Sequence, residues 1–225
     1  MGYFEFLHKF WPSFVDGTAT TLKVYSLAMV VGVAVAFIAA LMRLSPYFLV
    51  RAVSTVYVEG FRGTSLLVQM FWLYYVLPLL GFQLDKYVTG ILVLGLNMAS
   101  YGSEVVRGAI QSVPRGQYEA SVALNLSPMR RMKRIILPQA FLLMLPGWGN
   151  LFVEYLKYSS LVSLITITDL MFRAKQINDL TFKGTEAFGT AALIYYLLSR
   201  VIIIPGMRMF EKFWARRIGM VADHV

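Results

Sequence analysis

Residues 24–42, VYSLAMVVGVAVAFIAALM, contain no charged side chain. A helix needs about 20 mostly apolar residues to cross the hydrocarbon core of a bilayer. Lipid offers no hydrogen bonds, so such a run must satisfy its backbone internally, as a helix. Further apolar runs cover about 64–80, 88–106, 135–155 and 187–206. The whole composition agrees with a lipid-facing surface. Apolar residues make up 58% and charged residues 15%, against roughly 25% charged in a soluble domain. The expected fold class is an all-α integral membrane protein with about five transmembrane helices.

Five spans put the termini on opposite sides, and loop charges choose between the sides. Arg43, Arg51 and Arg62 lie between or beside spans one and two. Arg115, Arg130, Arg131, Lys133 and Arg134 lie between spans three and four, and Arg208, Lys212, Arg216 and Arg217 lie in the tail. Positive charge marks cytoplasmic loops, so these segments are expected inside. On the other face, Asp85 offsets Lys86, while Asp169, Asp179 and Glu186 offset Arg173, Lys175 and Lys183. The N-terminus is therefore expected outside and the C-terminus inside. Residues 1–16, rich in Phe and carrying Trp11, read as an outer interfacial aromatic segment. Pro12 predicts a kink or break there. The remainder, 17–225, reads as one transmembrane domain. Glu5 precedes any basic residue and no small-residue cleavage site follows, so no removable signal peptide is expected. Phe6 stands where the myristoylation pattern needs Ser or Thr.

Familiar catalytic patterns are missing. There is no cysteine, which removes disulfides and thiolate chemistry together. Neither a P-loop, an HExxH helix, an EF-hand loop nor a GxSxG elbow occurs, and the histidines, His8 and His224, lie at opposite ends. No catalytic residue and no metal site is expected, and a transport or structural role remains. Small residues recur every fourth position at Ala28, Gly32, Ala36 and Ala40, and again at Gly95, Ala99 and Ser103. Such stripes let membrane helices approach closely.

The most informative loop runs over about 111–134. Pro114 can start one short helix, through Glu119 toward Leu126. Ser127 then reads as an N-cap with Pro128 at the first position of a second helix. Tyr118, Val122 and Leu126 form an apolar stripe on a helix too short to span, so this loop reads as a docking element.

The order P-R-G-Q-Y-E-A-S, then A-L-N-L-S, then L-P-Q-A resembles the EAA loop of bacterial ABC importer permeases. Glu119, Ala120 and Ser121 stand where that family has Glu-Ala-Ala, and Asn125 stands in place of its glycine. Asn tolerates the left-handed conformation such a turn requires. Gly17, Thr20, Thr21 and Leu22 are similar to the start of span one in the polar amino-acid subfamily, of histidine, glutamine and arginine type. Arg62, Gly63 and Thr64 before LLVQMFWLYYVLP resemble its second span, with Ser65 replacing proline. Tyr101, Glu104, Arg107 and Gly108 match its Y-x-x-E-x-x-R-G. Lys157, Ser159, Ser160 and Leu161 match its K-D-T-S-L, with Tyr158 replacing aspartate.

The resemblance implies a type I importer permease that moves a polar amino acid or related zwitterionic solute into the cytoplasm. It implies a homodimer, or a pair with a similar permease, in the inner membrane. Two ATP-binding subunits would lie beneath and an extracytoplasmic solute-binding protein above. ATP and Mg belong to the partner ATPase, and this chain binds no cofactor of its own. Gly116, Glu119, Ala120, Ser121, Leu124, Asn125, Leu126 and Ser127 form the implied ATPase-coupling loop. A non-conducting scaffold or a secondary transporter are the alternative classes.

Charges at membrane depth cost about 2.5–3.5 kcal/mol each on insertion scales, so they are functional candidates. Glu104 and Arg107, three residues apart, read as a structural ion pair. Glu154 and Lys157 share that spacing in a segment where Pro146, Gly147 and Gly149 are expected to break the helix. Broken helices often line transporter cavities. Glu154, Lys157, Asn150 and Ser159 are therefore the candidate substrate path. Phe71, Trp72, Tyr74 and Tyr75 are expected mainly to pack.

Overall fold

The computed structural model describes residues 2–218; His224 and the rest of 219–225 lie outside the described residues, as does the side chain of Arg217. The described residues form helices without strands. Helix α1 (Tyr3–Arg43) continues through Pro12, so the expected break is absent. Proline removes one N–H and crowds the preceding turn. Buried Phe6 and Phe14 hold the flanking turns in line by packing beside Leu170, Ala174, Ile177, Ala187 and Ala191. The aromatic residues near the N-terminus are thus an extension of the first long helix.

The second expected span is also corrected. Residues between Arg43 and Arg62, read as a loop, contain α2 (Phe48–Arg62). After a turn at Gly63–Ser65 comes α3 (Leu66–Phe71), which continues through a π turn (Trp72–Val76) and a 3-10 turn (Leu77–Leu80). The two halves are bent by 101°. Leu49, Val53 and Val56 have helical spacing, but Arg51, Ser54, Thr55 and Glu59 make the segment too polar for a span, so a search for apolar runs passes over α2.

Helix α4 (Lys86–Gln111) packs along α1 at van der Waals limits. A Cβ on Gly95 would lie 2.9 Å from the Ala28 carbonyl oxygen, and one on Gly102 would lie 3.0 Å from Ala36 Cβ. Residue numbers rise together along this contact, so α1 and α4 are parallel. The chain between them must return from one end of the bundle to the other. Helix α7 (Leu137–Tyr158) runs antiparallel to both. Trp148 meets Phe37 and the Gly102 position, while the Tyr25 hydroxyl donates to the Phe152 carbonyl at 3.0 Å.

The expected break at Pro146 is absent, since α7 is continuous across it. Gly147 serves close packing instead: a Cβ there would lie 2.7 Å from Val105 Cγ1. Helices α8 (Leu170–Thr181) and α9 (Gly184–Leu197) follow. A π turn (Leu198–Ile203) then leads into α10 (Ile204–Ile218).

By length and composition, Tyr3–Arg43, Pro128–Ile165 and Gly184–Arg216 can cross a membrane, and the bent pair makes a fourth if it is one span. The expected five therefore exceeds the number that meets those requirements among the described residues. Helix α4 has 26 residues, about 39 Å of rise, but is less apolar, with Asn97, Glu104 and Arg107 along it.

Candidate functional site

Helix α5 (Arg115–Ala123) and helix α6 (Pro128–Arg131) occupy the predicted docking loop. Pro114 caps the first in an extended conformation, and Ser127 with Pro128 begins the second. Between them Asn125 has φ 53°. The Leu126 N–H donates to the Ser121 carbonyl at 3.1 Å and the Asn125 N–H to the Val122 carbonyl at 2.8 Å. These are the two bonds of a Schellman turn, which needs a left-handed residue where Asn125 sits.

Nine residues are too few for a helix to be stable alone, so packing and turns must hold α5. Ser121 is its buried residue and donates to the Tyr118 carbonyl at 2.6 Å. The Arg131 guanidinium lies 5.3 Å from the Tyr118 ring centroid. Gly116, Glu119, Ala120, Leu124 and Ser127 are exposed, and Leu126 is half-buried. Leu124 is 71% exposed and Val122 54%, so the helix offers an apolar ridge beside the Glu119 carboxylate.

Glu104 and Arg107 bond at 2.5 Å. The structure adds Arg43, whose guanidinium also pairs with Glu104 and lies 3.9 Å from Glu59. One carboxylate thus ties the ends of α1 and α4 together, with α2 alongside. Sequence spacing could reveal the pair within α4, but the partner on α1 comes from tertiary packing.

The four residues of the candidate path do not share one lining. Glu154 faces a cavity of about 320 Å³ with Thr64, Ser65, Asn97, Tyr101 and Tyr158. Lys157 faces a different cleft of about 720 Å³ with Ser160, Tyr196, Ser199 and Arg200. Asn150 is exposed and lines neither cavity. Ser159 is buried and donates to the Leu156 carbonyl at 2.7 Å.

The Glu154 cavity sits where α2 breaks from α3. A break frees carbonyls that lipid cannot satisfy. Gln69 Nε2 donates to the Phe61 carbonyl at 2.9 Å and to Thr64 Oγ1 at 2.7 Å. Asn97 Nδ2 donates to Gln69 Oε1 at 2.9 Å, and the Tyr155 hydroxyl donates to Asn97 Oδ1 at 2.5 Å. This network fixes the cavity wall. Gln69 and Asn97 were detectable as polar residues inside apolar runs, which at membrane depth must find partners. Tyr74 and Tyr75 meet the connection between α7 and α8 instead, through Thr166 Oγ1 at 3.3 Å and the Leu164 carbonyl at 3.1 Å.

Comparison with known proteins gives this geometry a context. Residues 32–216 match the family described as binding-protein-dependent transport system inner membrane component. The chain is 41% identical over 211 residues to a probable amino-acid ABC transporter permease, y4tF, of Sinorhizobium fredii, covering 91% of this chain and 88% of that one. It is 34% identical over 202 residues to the arginine transport system permease ArtQ of Bacillus subtilis, covering 89% and 92%. A crystal structure of an amino acid ABC transporter with histidines superposes with a TM-score of 0.86 at 32% identity, covering 96% of this chain and 99% of that one. The MetNI methionine ABC transporter shares the fold, with a TM-score of 0.61 at 17% identity. The chain belongs to the family of binding-protein-dependent transport system inner membrane components, the permease subunits of ABC importers.

Proposed function

We propose that this chain forms the path by which a polar amino acid or related zwitterion enters the cell, driven by ATPase subunits docked on α5. The observation that carries this reading is the exposed α5, held off the bundle by the Asn125 turn and presenting Leu124, Val122 and Glu119 outward. Its apolar ridge would enter a cleft of an ATP-binding subunit, with Gly116, Ala120, Ser121, Leu126 and Ser127 shaping the loop. ATP and Mg act on that partner, and this chain binds neither. Two permease copies, or this chain and a similar one, pair in the membrane, with a solute-binding protein outside.

The chain crosses five times, counting α4 and taking α2 with the segment through Leu80 as one bent crossing. The parallel packing of α1 and α4 supports this, because it requires a return between them. The N-terminus is then outside and the C-terminus inside, as the basic loops require. The solute passes the cavity at Glu154. Closure of the ATPase pair would move α5 and favour one access state, which requires a difference in solute affinity between the two states.

Co-purification tests the docking. An ATP-binding subunit should accompany the wild-type chain from its native membrane and be lost from Glu119→Arg, with the chain still folded and membrane-inserted. Equal recovery with both would remove α5 as the dock.

A further inference from the structure

We propose that Tyr158 selects the solute class at the Glu154 cavity, admitting zwitterions with a neutral side chain and disfavouring dibasic amino acids. The inference rests on the amino-acid reading above. Glu154 and Tyr158 lie one turn apart on α7 and line the same cavity. The Tyr158 hydroxyl donates to Glu154 Oε1 at 2.8 Å. The Tyr158 ring is held edge-on against buried Tyr155, with centroids 5.4 Å apart.

An inventory of polar groups around the cavity sets what it can hold. Asn97 is committed to Phe61, Gln69 and Tyr155. Thr64 Oγ1 donates to the Gly60 carbonyl and accepts from Gln69. The groups left uncommitted among the described residues are Glu154 Oε2 and the hydroxyls of Ser65 and Tyr101. The cavity walls hold one carboxylate and no basic side chain.

A free amino acid fits these groups once. Its ammonium takes Glu154 Oε2, and its carboxylate accepts from the Ser65 and Tyr101 hydroxyls. Nothing charged remains for a second cation, so the guanidinium of a dibasic amino acid can reach a carboxylate here only by taking Glu154 in place of the ammonium. A guanidinium prefers to grip both oxygens of one carboxylate as a fork. Tyr158 denies that grip, because it holds Oε1 and presents an O–H donor where the second arm of the fork would lie. Two donors facing each other cannot share that oxygen, so a guanidinium gains one hydrogen bond to Glu154 where a free carboxylate would give it two. At about 320 Å³ the cavity is also at the small end of ligand pockets, which suits a single amino acid.

The test uses the permease–ATPase complex in nanodiscs, without the solute-binding protein, so that the selectivity measured is that of the permease. Calorimetric titration with L-glutamine and L-arginine compares side chains of similar length and different charge. Wild type should bind L-glutamine more tightly. Tyr158→Phe keeps the ring, releases Oε1, and should narrow the preference by about tenfold through tighter L-arginine binding, the size of one hydrogen bond to a charged group.

A merely structural role for Tyr158 would weaken both ligands together and leave their ratio unchanged. That result overturns the proposal, as does a wild-type preference for L-arginine. Glu154→Gln separates the two readings. If it binds both amino acids as wild type does, the cavity is not the solute site and the underlying reading falls. If it loses both while Tyr158→Phe leaves the ratio unmoved, only the selectivity assignment falls. Binding of neither ligand by the wild-type complex overturns both.

Discussion

Asp169 caps α8 and is fully buried, between that helix and α9. Its carboxylate accepts from the Phe172 N–H at 2.9 Å and from the Tyr195 hydroxyl at 3.2 Å. Burial pushes its pKa from 3.8 up to about 6, against the lowering influence of the hydrogen bonds it accepts. The sign follows from proton counting. Between about pH 4 and pH 6 the folded chain keeps a proton that the unfolded chain has lost, so folding stability falls as pH rises through that window and levels off above it. Asp169→Asn retains a capping side chain and removes the titration. Thermal unfolding in detergent at pH 4.5 and pH 7.5 should show wild type losing stability relative to the variant as pH rises. Parallel behaviour of the two would mean that Asp169 does not carry the shift. The cap was not legible beforehand, since Asp169 reads in sequence as one more charge in an outer loop, and its burial depends on Tyr195 of a later helix. Asn125 is the opposite case. Its turn was legible because a left-handed junction is a local demand that few residue types meet.

At the scale of elements, the α1–α4 contact is set by what is missing from glycine. A Cβ on Gly95 would press on backbone, 2.9 Å from the Ala28 carbonyl oxygen, with Val31 Cβ at 3.1 Å. Backbone in a long helix cannot rotate away as a side chain can. Gly95→Ala should therefore destabilise by about 1–3 kcal/mol, the usual cost of overpacking. Gly108, in the same helix, has nothing within 4 Å of its Cβ position. Gly108→Ala should instead stabilise by about 0.4–1 kcal/mol, through helix propensity and a less flexible unfolded chain. Opposite shifts in melting temperature check the pair, and a loss of similar size at both positions would sink the account. The small-residue stripe through Gly32 and Gly95 was readable from its four-residue spacing. The bend between α2 and α3 was not, because the groups that satisfy it, Gln69 and Asn97, come from the next turn and from another helix. Pro12 and Pro146 were misleading for a related reason: proline weakens a helix locally, while tertiary packing on both sides decides whether it bends.

At the scale of the whole molecule, the direction of each helix fixes which end of the bundle carries the α5 loop and which carries the connection between α7 and α8. Arg43, Glu104 and Arg107 gather at one end, next to the α5 loop, while Lys86 meets the Thr166 carbonyl at 2.9 Å at the other. A chain with Glu119 and Asp179 on opposite sides of the membrane must cross an odd number of times between them, and a single crossing through Pro128–Ile165 meets that need. The absence of cysteine in the chain makes this directly measurable, since any thiol introduced is the only one present. Both positions are exposed helix residues, so a cysteine there should disturb little. In intact cells, a membrane-impermeant maleimide should label Asp179→Cys and leave Glu119→Cys unmodified until the membrane is permeabilised. The reverse pattern would invert the topology and place α5 away from any cytoplasmic ATPase. Labelling of both in intact cells would mean that the segment between them does not cross. Docking of an ATPase on α5 requires the first result, because only then do the basic α5 loop, the ion cluster at the end of α4 and the nucleotide supply share one side of the membrane.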